Sequence, residues 1–127
     1  MKYKFNIHKY STPNGIEKER PIVDIENPIQ YGWFFYDEIN NLSFNPDYVK
    51  EIVSKLEEVL SGKLKNYDGF GYEMYMIECD KENAKVKNIF EGGKVDAVIP
   101  TAEVYELMRE WRDYIEKYNQ KNPTNYP

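Results

Sequence analysis

The chain has 127 residues, 41% hydrophobic and 31% charged, the size and balance of one domain that can bury a core without metals or disulfides. Its 22 acidic and 17 basic side chains leave a net charge of −5, with the basic ones scattered; phosphate backbones are gripped by clustered Lys and Arg, so direct nucleic-acid binding is disfavoured. Cys79 is the only cysteine, which rules out an intramolecular disulfide, and the alternating MKYKFNIHKY opening has no apolar run for a signal peptide or membrane span, so a cytoplasmic protein is expected.

Residues 2–10 place Tyr3, Phe5 and Ile7 on one face and Lys2, Lys4, Asn6 and His8 on the other, a half-buried strand. STPNGIEKERP follows as a loop, on its Pro13, Asn14, Gly15 and Pro21. PIVDIENP predicts a short strand, and QYGWFFYDEI a stronger one with aromatic residues on both faces. Asn45 as cap, Pro46 at the first helical position and Asp47 in the first turn predict a helix. Val49, Ile52, Val53, Leu56 and Leu60 are its apolar stripe, and Gly62 ends it.

After Gly71, the stretch to Cys79 alternates as one strand, again with large apolar groups on both faces. AKVKNIF sets Ala84, Val86 and Phe90 largely on one parity, EGGK is a turn, and VDAVIP sets Val95, Ala97 and Ile99 against Asp96 and Val98. Thr101 caps a second helix, buried through Val104, Leu107, Met108, Trp111 and Ile115 and flanked by Tyr105, Tyr114 and Tyr118. The sequence therefore predicts an α+β fold: an antiparallel sheet of about five to six strands, with two helices packed mainly on one face. It forms a single domain over residues 1–120, followed by a flexible tail over 121–127.

Aromatic residues make up 16% of the chain, and 12 of these are Tyr. Two helices cannot cover a sheet of this width, so part of one face stays open. Tyr and Trp anchor interfaces, and acidic neighbours select a basic partner. Trp33, Tyr36, Tyr72 and Tyr75, with Asp37, Glu38, Glu73 and Glu78, are the candidate partner-binding residues. His8 is the lone histidine and stands on a polar strand face, with no base, nucleophile or second ligand beside it. No zinc spacing, phosphate-binding glycine loop or GxSxG is present. The residues thus give no catalytic set, metal site or cofactor, although Glu73, Glu78, Asp80, Asp37 and Glu38 offer an alternative: a carboxylate cluster for a cation or a hydrolysis.

The run AKVKNIFEGGKVDAVIPTAEVYELMREWRDYIEKY, residues 84–118, resembles the C-terminal half of small bacterial immunity proteins, which neutralise the toxin domains of contact-dependent inhibition and other polymorphic toxin systems. The shared features are a hairpin ending in IP and a closing helix with an ExxxLMxEW-type pattern. The resemblance implies a stoichiometric antitoxin that occludes one cognate toxin, often a nuclease with a basic surface. The free chain is expected to be a monomer or weak homodimer. A homo-oligomeric structural protein burying the same aromatic face, or a small-molecule or metal-binding enzyme using the carboxylates, are the alternatives.

Overall fold

Strands β1, Tyr3–Ser11, and β2, Glu17–Ile25, form an antiparallel hairpin in which Phe5 lies opposite Val23 and Ile7 opposite Pro21. The structure, a computed structural model, describes residues 1–122 and their side chains except that of Asp37. β2 begins four residues before the proline at which the sequence pattern starts it. Val23 turns its N–H and C=O outward to the Asn40 side chain, at 2.8 and 3.2 Å. Pro21, two residues away, shares that orientation, so its missing N–H faces away from β1.

Residues 28–44 are helical, not the expected strand. A 3-10 turn over Pro28–Tyr31, a π-helical turn over Phe34–Glu38 and a 3-10 stretch over Ile39–Phe44 follow one another. Phe35, Ile39 and Leu42 are buried while Trp33 and Tyr36 are exposed, a spacing of three and four. The left-handed backbone of Asn27, φ 51°, breaks the extended path before that helical segment, and Gly32, at φ 97°, separates its first turn from the π-helical one.

Helix α1, Pro46–Leu60, starts as its sequence predicts: the Asn45 side chain accepts from the Tyr48 N–H at 3.3 Å. Val49, Ile52, Val53 and Leu56 are fully buried, and Val59 takes the last inward place in front of half-buried Leu60. Gly62, at φ 84°, follows its end.

Four strands then form a meander: β3, Asn66–Tyr72, β4, Tyr75–Asp80, β5, Asn83–Asn88, and β6, Lys94–Pro100, in the order β3-β4-β5-β6. The stretch expected as one strand after Gly71 is a hairpin instead. Tyr72 lies opposite Tyr75 across the two-residue turn Glu73 and Met74, and Glu73 is left-handed at φ 51°. A glutamate rarely adopts that conformation, so its sequence carries no turn signal. Phe90 also leaves its expected place on β5. The Asn88 side chain accepts from the Phe90 N–H at 3.0 Å and opens a 3-10 turn over Ile89–Glu91, which Gly92 and Gly93, both at positive φ, complete.

Helix α2, Thr101–Lys121, buries Val104, Leu107, Met108, Trp111 and Ile115 as expected. Thr101 is not its cap. Pro100 holds that position, while the buried Thr101 hydroxyl donates to the Asp80 carbonyl at 2.7 Å and its N–H to that of Glu82 at 3.0 Å. Those bonds bolt the helix start to the β4–β5 turn. The helix includes Lys121; of the expected tail, residues 123–127 lie outside the described residues.

The α+β class and the six antiparallel strands agree with the sequence, but the strands divide into sheets of two and four. The helical segment between β2 and α1 separates them. α1 rests on β3 and β4, and α2 on β5 and β6. The β1–β2 hairpin lies along α2, where Phe5 stacks on Trp111 at 5.7 Å and on Tyr114 at 5.0 Å.

Candidate functional site: an aromatic end of the meander

Register decides which face of the four-stranded sheet each residue serves. Ile77 pairs with Val86 and Cys79 with Ala84, and all four are buried under the helices. Alternation therefore sends Met76, Glu78, Lys85 and Lys87 to the opposite face. A bulge at Asp96 sets Val95 opposite Lys87 and Val98 opposite Lys85, so both valines join that outer face. None of the described helices covers it, as the sequence leads one to expect. It is aliphatic and ionic, however, with Glu78 paired to Lys87 at 2.7 Å, and the tyrosines are not on it.

Tyr72 and Tyr75 are half-buried and packed on the edge of the core. Their row continues through Asn88 to Lys94, at the end of the sheet away from the start of α2. The two turns at that end are tied together, since the Ile89 N–H donates to the Met74 carbonyl at 2.8 Å. They present exposed Glu73, Ile89 and Glu91, and Phe90 at 76% exposure.

The helical segment 28–38 packs on the neighbouring row. A Cβ on Gly32 would stand 2.8 Å from Val86 Cγ1, and Phe34 meets Phe70 edge-on at 6.2 Å. With Phe34 and Phe35 turned into the core, Trp33 and Tyr36 face solvent at 45% and 48% exposure, their rings T-shaped at 5.3 Å. Glu38 is half-buried and accepts from Asn41 Nδ2 at 3.0 Å. Asp37 belongs to the same turn by its backbone.

The segment that carries Trp33, Tyr36 and Glu38 thus packs on the row next to the one that carries Tyr72 and Tyr75. Glu78 is separated from them on the outer face. The carboxylates named as a possible cluster have different tasks: Glu38 takes an amide, Glu78 an ammonium, and Asp80 accepts the Asn83 and Glu82 N–H groups at 2.7 and 2.8 Å. Those backbone bonds, that of Asn83 foremost, hold the Asp80 carboxyl below the usual carboxylate range. Among the described residues no three His, Cys, Asp or Glu side chains converge as a metal site would require. His8 is exposed on β1, its ring stacked on Tyr10 at 6.1 Å. None of the described helices is long and apolar enough to cross a membrane.

Ile89 and Phe90 are the members of this surface that the sequence pattern misplaces. The signal lies in NIFEGG, where an Asn that caps a turn is followed by two glycines that end it. The exposed groups here are rings with acidic side chains around them, suited to noncovalent contact with a cationic surface. Comparison with protein families, with characterised proteins and with solved structures finds no match for this chain.

Proposed function

We propose that the chain is an immunity protein that binds a cognate toxin domain, a nuclease in the first instance, and neutralises it in the cytoplasm by stoichiometric occlusion without turnover. The observation that carries this reading is the exposed aromatic end, Trp33, Tyr36 and Phe90, with Glu73 and Glu91 at the adjoining turns. Solvent-exposed rings of this size anchor interfaces, and a net charge of −5 speeds encounter with the basic surface of a nuclease. The resemblance of residues 84–118 to immunity proteins points the same way.

The test is reconstitution with the product of the neighbouring gene. Size-exclusion chromatography and calorimetry are expected to give a 1:1 complex and loss of toxin activity, with Trp33→Ala or Phe90→Ala weakening binding on the order of tenfold or more. Absence of both complex and inhibition overturns the proposal. The same exposed Phe90 also suits burial against a second copy of the chain. Light scattering that shows a concentration-dependent dimer, lost in Phe90→Ala, would put self-association in place of toxin binding.

A further inference from the structure

β1 has β2 as its strand neighbour in a sheet of two, and its other edge is free. Phe5 lies opposite Val23 and Ile7 opposite Pro21, the two β2 residues whose backbone groups turn away from β1. In an antiparallel ladder the residues opposite such positions turn outward as well. The N–H and C=O groups of Phe5 and Ile7, and by alternation those of Lys9, therefore point away from the hairpin. Among the described residues no hydrogen bond reaches them. Neither a proline nor a break in register interrupts the nine residues of β1, so its edge is open to another strand.

The side chains of Ile7 and Lys9 line a cleft of about 560 Å³ between the hairpin and the last turns of α2, a volume in the range of binding pockets. Tyr114 and Tyr118 supply further apolar wall, and Lys117 and Lys121 add two cations to that of Lys9. None of these three lysines forms an ion pair among the described residues. Glu19, the acid that shares the cleft, accepts from the Tyr118 hydroxyl at 3.1 Å. A strand added to β1 would send the side chains paired with Ile7 and Lys9 to the face that those residues use. An apolar group and a carboxylate there would meet the aromatic wall and the free ammonium groups. A second copy of β1 fits worse, because it carries Lys4, His8 and Lys9 and no acid, and like charges across a strand pair repel.

We propose that an extended acidic segment of a protein partner adds as a strand to the free edge of β1, with apolar and carboxylate side chains seated in the cleft. None of these residues belongs to the aromatic end of the meander, so this second interface is independent of toxin binding. The experiment is an NMR titration of the full chain with a capped nonapeptide, Thr-Val-Thr-Glu-Thr-Val-Thr-Glu-Thr, which sets valine and glutamate alternately on one face. Binding is expected to shift the Ile7, Lys9 and Lys117 amides and to slow hydrogen exchange at the Phe5, Ile7 and Lys9 N–H groups. The peptide with lysine in place of glutamate, and the peptide methylated at its valine and glutamate nitrogens, are expected not to bind.

Lys117 and Lys121 are exposed, and Lys117→Glu combined with Lys121→Glu should leave the fold intact and weaken binding on the order of tenfold. Absence of binding, shifts without slowed exchange, equal binding of the lysine peptide, or undiminished binding by the double variant overturns the proposal. If light scattering shows a concentration-dependent dimer in which the same three N–H groups are already protected, a second copy holds the edge and the proposal falls.

Discussion

Gly71 shows how tightly one atom can be constrained. A Cβ there would run into the Tyr75 carbonyl oxygen and stand 2.8 Å from the Tyr75 carbonyl carbon, so Gly71→Ala must push β3 from β4. A loss of about 3 kcal/mol is expected from urea unfolding, whereas Gly15→Ala, with nothing within 4 Å of its Cβ but a φ of 78°, should cost only about 1 kcal/mol. Cys79 governs a pH response. Burial, with a smaller contribution from the Asp80 charge, pushes its thiol up to about 12, against about 8.5 in an unfolded chain. Below the unfolded value both states keep the proton; above it only the unfolded chain releases it, so native stability falls as pH rises. The phenols of Tyr67 and Tyr3, raised chiefly by burial, act in the same direction at still higher pH. Urea midpoints should decline from about pH 8 to about pH 10, and Cys79→Ala should flatten the first part of that decline. An unchanged slope in the variant would show that the thiol is not responsible.

Elements were legible where one period dominated. α1 and α2 carry stripes of five residues at helical spacing, and a stripe of that length has no reading as a strand. The segment 28–44 failed for the opposite reason. Its aromatic cluster is short, and Trp33, Phe34, Phe35 and Tyr36 satisfy alternation about as well as a helical turn; core contacts at Phe34, Phe35, Ile39 and Leu42 settled the choice. The hairpin at Glu73 was hidden because its turn lacks the Asn or Gly that normally marks one. The same helical segment performs a strand's task through Asn40, whose amide pairs with both backbone groups of Val23. Asn40→Ala leaves those groups unsatisfied beside a buried valine and should cost about 2 kcal/mol by thermal or urea unfolding. A loss no larger than about 0.5 kcal/mol, the usual surface value, would mean that water replaces the amide.

Across the whole molecule, the uncovered sheet face and the aromatic surface are different places. Val98→Lys, on the outer face at 56% exposure, is therefore expected to leave the melting temperature and, on the proposed function, partner binding unchanged, while Phe90→Ala spares the melting temperature and lowers that binding. Loss of binding in Val98→Lys would move the interface to the outer face. Which of the candidate residues reach solvent was only partly legible, because large rings stand out in composition but their burial depends on packing: Trp33 and Tyr36 are exposed, whereas Tyr72 and Tyr75 lean on the core and Glu78 is paired with Lys87. The sequence by itself determined the α+β class, both long helices and their buried faces, since these follow from local periodicity and capping. Only the tertiary structure decided that six strands divide into two sheets and that Phe90 stands in water. Those outcomes depend on register, on a bulge and on a left-handed glutamate, which are resolved by contacts between residues far apart in the chain.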